Sequence, residues 1–192
     1  MAGAAMAPGG GAAAQAAVPG VWDGHQDDTA VICCAEGLPA AARATLEAAG
    51  RSHENPARCR DLLGQASALA PDHPATLIAE YRFHFYGGRL DEALAVGWRC
   101  LDWAAATAGL AADWRRVRPV DAPFGSFAAA LARFYLFGLK GCGYLLARLG
   151  EIERSAEILD KLCELDPNDH LGGRRLLQVL ASHGRGDDGE AD

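Results

Sequence analysis

The stretch from Gly150 to Pro167, GEIERSAEILDKLCELDP, limits the possible folds more than any other part of the chain. A glycine opens it, apolar residues then recur at three and four spacing through Leu159 and Leu162, and LDP closes it. That spacing is the mark of an amphipathic helix, and a proline just past the last periodic residue is a stop signal. A fixed period of this kind points to stacked helical units, so recurrence is the next thing to look for. Setting Pro71 where Pro167 stands defines a unit over residues 40–73, and a second unit over 74–107 follows without a gap at the same 34-residue step. No alternation of strand type competes with this pattern.

The residues in these units resemble the tetratricopeptide repeat family. In the third unit, residues 136–169, the resemblance puts Gly150 at the inter-helix turn and Gly143 at the small position of the first helix. Leu159 takes the large position of the second helix, Leu162 takes one that is normally small, and Ser155 stands where alanine is usual. The first unit carries Cys59, Leu63 and Ala66 at the small, large and small sites, with Glu54 and Asn55 in its turn. The second turns at Gly88 and places Ala93 and Cys100 at its small sites. It lacks the closing proline and has Glu80, Tyr81 and His84 where leucine, glycine and tyrosine are usual. The resemblance implies an all-α fold: a right-handed α-α superhelix of about three helical hairpins, with an insertion before the third and a capping helix at the end.

The insertion covers residues 108–135 and holds the basic run Trp114, Arg115, Arg116, Val117, Arg118. Ser126 is the expected cap of a long helix through FAAALARFYLFGLKGCGYLLARL, and Asn168 or Asp169 is expected to open the capping helix, about residues 169–183, through Leu176, Leu177 and Leu180. Pro39, Pro56 and Pro74 each suit a position just inside a helix start, where the missing N–H costs nothing. Around this domain, residues 29–183, the Ala/Gly/Pro-rich residues 1–28 and the acidic residues 184–192 read as disordered tails. Arg133, Lys140 and Arg148 interrupt the apolar run from Phe124 to Leu149, each at a cost of about 2.5–3.5 kcal/mol near a bilayer centre, so no membrane span is expected. Residues 1–20 have neither the basic start nor the Leu-rich centre of a secretory signal, and a cytoplasmic bacterial protein is expected.

Eighteen basic against 25 acidic residues give a net charge of −7, the wrong sign for a polyanion binder, so nucleic acid is not an expected partner. Only Lys140 and Lys161 are lysines. Cys59, Cys100 and Cys142 fall on tightly packed repeat positions and Cys163 lies beside one, so all four read as small buried hydrophobes. The vicinal pair Cys33 and Cys34 leaves open an alternative, a thiol-dependent redox or metal-handling factor. No histidine pair has metal-ligand spacing, and His84, within FHFY, reads as packed among aromatics. No catalytic motif or phosphate loop occurs in the right context, so neither enzyme activity nor a cofactor is expected.

In tetratricopeptide arrays the first helices line a concave groove. Carried over position by position, the resemblance assigns to that groove Ile78, Arg82, Phe85 and Tyr86 from the second unit, and Phe137, Lys140, Tyr144 and Arg148 from the third. The first unit contributes only the small Ala41, Ala44 and Ala48. Cations edged by aromatic rings suit an acidic peptide segment or a partner helix, with the Arg forks holding carboxylates. The asparagines with which some members clamp a terminal carboxylate are missing. Trp114, Arg115, Arg116 and Arg118 form a second candidate contact. The expected role is an adaptor or assembly chaperone that binds another protein; a noncatalytic subunit of an enzyme complex is a further alternative.

Overall fold

A computed structural model describes residues 36–126 and 128–184, which contain seven α-helices and no strand. They are α1 (Ala40–Arg51), α2 (Pro56–Leu69), α3 (Pro74–Tyr86), α4 (Leu90–Ala108), α5 (Ala130–Arg148), α6 (Ile152–Leu165) and α7 (Gly173–Gly184), with a short 3-10 turn, Trp114–Arg116, between α4 and α5. The fold is all-α. The expected tails, residues 1–28 and 184–192, and the pair Cys33 and Cys34 lie outside the described residues, apart from Gly184, which ends α7.

Local chemistry sets most helix ends. The Asn55 side chain accepts from the Arg58 N–H at 3.1 Å and Pro56 takes the first helical position of α2. His73 does the same for α3: its Nδ1 accepts from the Ala75 N–H at 3.2 Å, while Nε2 donates to the Glu36 carbonyl at 3.0 Å. Gly88 (φ 70°) and Gly150 (φ 82°) turn the chain between α3 and α4 and between α5 and α6, in the left-handed region that only glycine adopts freely.

Three expected boundaries shift. Pro39 stands directly before α1 instead of inside it. The long helix starts at Ala130, not after Ser126, because the Ser126 N–H bonds the Pro123 carbonyl and the Ala129 N–H bonds the Ser126 carbonyl, holding that stretch in tight turns. The last helix starts at Gly173 because Asp169 sits at φ 54°, a conformation no helix tolerates; its Oδ1 caps the helix from outside by accepting from the Arg174 N–H at 3.1 Å.

Each helix packs chiefly on its neighbours in the chain, α1 on α2 and then α3 through α7 in succession, while α2 and α3 touch only thinly. The apolar interior follows that division. A small cluster of Ala49, Cys59 and Leu63 joins α1 to α2, and one continuous core runs from Leu77 to Leu165.

Helix α5 is the centre of the core, buried on nearly every side because small residues let both neighbours approach closely. A Cβ added at Gly138 would lie 2.9 Å from Leu101 of α4, and one at Gly143 would lie 2.8 Å from Leu159 of α6. At the same crossing the Ser155 hydroxyl donates to the Gly143 carbonyl at 2.7 Å, fixing the depth of α6 against α5. Leu176, Leu177 and Leu180 of α7 are half-buried against this core, as a terminal helix should be. Among the described residues no helix is long and apolar enough to cross a membrane.

Candidate functional site

Helices α3 and α5 are not consecutive, yet their C-terminal ends meet. The rings of Phe85 and Tyr144, two residues that the resemblance assigned to one groove, lie 6.0 Å apart. On α3, Tyr81 stacks under Phe85 at 5.8 Å with the rings 12° apart, and Tyr86 stands edge-on to Phe85 at 5.4 Å. On α5, Arg148 Nη1 donates to the Tyr144 hydroxyl at 3.0 Å with its guanidinium 5.9 Å from the ring centre. Phe85, Tyr86, Tyr144 and Arg148 therefore form one cluster. Tyr144 belongs to the core and Phe85 packs against it, while Tyr86, 65% exposed, carries the cluster out to solvent.

The remaining expected groove residues lie deeper. Ile78 is a core residue and Lys140 is 8% exposed; neither lines an open surface, which corrects their assignment. Phe137 is half-buried against the core. Arg82 is half-buried, and its Nε, shielded from solvent, makes no hydrogen bond among the described residues. Arg133 lies on the same face of α5 as Lys140, two helical turns earlier, and is also buried. The two faces thus carry Arg82, Arg133, Lys140 and Arg148, and none of the residues named on them is a carboxylate.

Two contributors escaped sequence reasoning. Arg133 was legible only as a charge interrupting an apolar run, although its spacing of seven from Lys140 marks a common face. Tyr81 occupies a position where the repeat pattern expects glycine, and the structure shows how its ring is accommodated. Opposite it stands Gly97 of α4, where an added Cβ would meet the Tyr81 ring at 3.6 Å and Cys142 Sγ at 3.0 Å. Burial pushes the Tyr81 phenol well above its ordinary value, so it stays protonated under Phe85.

The second candidate contact is largely engaged within the chain. Arg115 grips Glu157 of α6 with both arms of its guanidinium, Nη2 to Oε2 at 2.7 Å and Nε to Oε1, while lying 4.3 Å over the Trp114 ring. Arg118 pairs with Asp121 at 2.9 Å, and that side chain also accepts from the Arg118 N–H at 2.8 Å. These bonds hold the Glu157 and Asp121 carboxyls below their ordinary range. Val117 is fully buried, and its carbonyl accepts from Lys161 Nζ at 3.2 Å. The run clips the α4–α5 connection onto α6. Arg115 and Arg118 are thereby withdrawn from the candidate contact, and Arg116 is left exposed with no ion pair among the described residues.

His84 is half-buried as a ring among aromatics, edge-on to Phe83 at 5.5 Å, and its Nδ1 accepts from Arg89 Nε at 3.1 Å. Burial, and secondarily the Arg89 charge, lowers its pKa. Cys59, Cys100 and Cys142 are buried free thiols, and burial pushes Cys59 and Cys142 up, away from the reactive thiolate. Among the described residues no group of three or more His, Cys, Asp or Glu could hold a metal ion.

The chain is 42% identical over 123 residues to an uncharacterized 19.8 kDa protein in the nifW 5′ region of Azotobacter chroococcum mcd 1, a match spanning 62% of this chain and 67% of that relative. No family model matches the chain, and no solved structure matches it.

Proposed function

We propose that this chain, which belongs to the family of the Azotobacter chroococcum 19.8 kDa protein, is an adaptor or assembly chaperone of tetratricopeptide type that binds an acidic segment of a partner protein between α3 and α5. On this reading its hairpins stack as a right-handed superhelix, and the aromatic end of the α3–α5 groove is where the partner seats. The observation that supports it best is the Phe85–Tyr86–Tyr144–Arg148 cluster, in which the buried Tyr144 holds an exposed guanidinium and the exposed Tyr86 ring stands on Phe85, in a protein of net charge −7. A planar fork fixed by a tyrosine hydroxyl holds a carboxylate with two parallel bonds, and the rings supply apolar area around it. The binding needs no cofactor, and the site lies at the aqueous surface of a cytoplasmic protein.

The thiol-dependent reading has less support, because it rests on Cys33 and Cys34, and burial disfavours the thiolates of Cys59 and Cys142. A noncatalytic subunit of an enzyme complex would use the same groove as its docking surface.

The printed name of the relative ties that protein to a nifW 5′ region, so co-purification is best begun in cells expressing such a region. The tagged chain is expected to recover a partner at equal stoichiometry, and Arg82→Glu/Arg148→Glu is expected to lose it by tenfold or more, the order of magnitude for reversing charge-assisted contacts. Lys140 is left intact, since a carboxylate there would enter the core and confound binding with folding. Undiminished recovery by a folded double variant would reject the groove as the binding site.

A further inference from the structure

The thin boundary between α2 and α3 carries a clasp built on one titratable ring. Phe83 is the large α3 side chain that packs on the small α1–α2 cluster of Ala49, Cys59 and Leu63. Arg89, directly before α4, folds back over it: the guanidinium lies 4.3 Å from the centre of the Phe83 ring, and Nη2 donates to the Phe83 carbonyl at 2.8 Å. Its Nε donates to His84 Nδ1 at 3.1 Å, and its backbone N–H donates to the His84 carbonyl at 3.0 Å. The guanidinium passes so close to Gly87 that a Cβ added there would lie 2.5 Å from Nη1. One arginine thus ties together the end of α3, the start of α4 and the ring that α3 sets against the hairpin.

Only a neutral imidazole completes this clasp. A ring nitrogen that accepts from Arg89 carries no proton, whereas both nitrogens of a protonated ring are donors. Protonation therefore turns the hydrogen bond into two facing donors and puts a positive charge beside Arg89. The other charges around the ring do not offset it. Arg89 and, from α2, Arg60 disfavour the charged ring; Glu92 of α4 and Glu80 of α3 favour it, but Glu80 is already tied to Arg99 at 3.1 Å. Burial first, and then Arg89, outweigh the two carboxylates and hold His84 below its ordinary value.

We propose that His84 and Arg89 form a pH-operated latch that holds the α1–α2 hairpin on the rest of the protein. With His84 neutral, Arg89 pins the Phe83 ring against the hairpin. With His84 protonated, Arg89 turns to solvent, Phe83 loses its cover, and the hairpin opens as a unit at the α2–α3 turn. The open state binds the proton more readily, so the latch is closed at higher pH and opens as pH falls through the His84 value. Helices α3 to α7 share one core to which no α1 or α2 residue belongs among those described, so they stay folded while the hairpin opens. The latch works whatever binds between α3 and α5. A second histidine stands at the same boundary: His73 caps α3 through Nδ1 and reaches the Glu36 carbonyl through Nε2, so the test has to separate the two.

The test is native-state hydrogen exchange of the full-length chain at about pH 7.5 and about pH 5, with each amide's rate divided by its intrinsic rate at that pH. Protection of α1 and α2 relative to α5 is expected to fall about tenfold at the lower pH, the order for losing one hydrogen bond to a charged group. In His84→Asn, whose amide oxygen takes the place of Nδ1 and does not titrate, the ratio is expected to be the same at both pH values. In Arg89→Gln it is expected to be low at both. An unchanged ratio in the native chain overturns the latch, as does full protection of the hairpin in Arg89→Gln. A fall that persists in His84→Asn and disappears in His73→Asn moves the switch to the start of α3 and overturns it too. So does an equal loss of protection in α5, which would mean that acid opens the whole core.

Discussion

At Gly143 one missing methyl group decides how closely two helices approach. Its carbonyl accepts the Ser155 hydroxyl, and a Cβ would stand 2.8 Å from Leu159, a side chain itself fully enclosed. Gly143→Ala is therefore expected to destabilise the protein by about 1–3 kcal/mol despite alanine's better helix propensity, as overpacking outweighs the backbone gain. Urea denaturation measures it, and an unchanged or higher midpoint would contradict the packing account. His84 carries a different residue-scale effect. Its pKa in the folded chain lies below the ordinary 6.5, so the unfolded chain binds the proton more readily. The resulting stability is complete above about pH 6.5 and is lost as pH falls through the folded value. Thermal midpoints taken from about pH 7.5 to about pH 5 are expected to fall in the native chain, and less steeply in His84→Gln. Equal slopes would show that another group titrates. Because the ring is partly solvated, the effect is modest.

Among elements, α1 and α2 stand apart. Their contacts with each other are extensive, but they reach the rest of the protein through the thin α2–α3 boundary, and their small cluster engages only Ala79 and Phe83 from α3. Every other helix from α3 to α7 shares one core. In a nearest-neighbour stack, the unit with the weakest interface opens first. Native-state hydrogen exchange is thus expected to show α1 and α2 amides exchanging through a sub-global opening, well before those of α5. Equal protection in α1, α2 and α5 would mean that the chain unfolds as one cooperative unit. The Trp114–Arg118 run teaches the reverse lesson. Three arginines and a tryptophan look like a contact surface in one dimension, and two of the arginines are consumed by Glu157 and Asp121 in three.

Across the whole molecule, charge is sorted. Glu80 is tied to Arg99 and Glu157 to Arg115, while the α3–α5 faces collect Arg82, Arg133, Lys140 and Arg148. The sequence by itself determined the all-α class, the turns at Gly88 and Gly150, the helix starts at Pro56 and Pro74, and the burial of Cys59, Cys100 and Cys142. These follow from the 3.6-residue period, from φ preferences and from the need for small side chains at a close crossing, all of which are local or nearly so. The resemblance assigned Phe85, Tyr86, Tyr144 and Arg148 to one groove, and of these Phe85 and Tyr144 meet across α3 and α5 at 6.0 Å. Only the tertiary structure decided how deep each groove residue lies, why Tyr81 fits opposite Gly97 and Cys142, and which arginines are already spoken for. Depth, complementary bulk and ion pairing depend on residues brought together from distant parts of the chain, as Arg115 and Glu157 are, and a pattern read along the chain does not contain them.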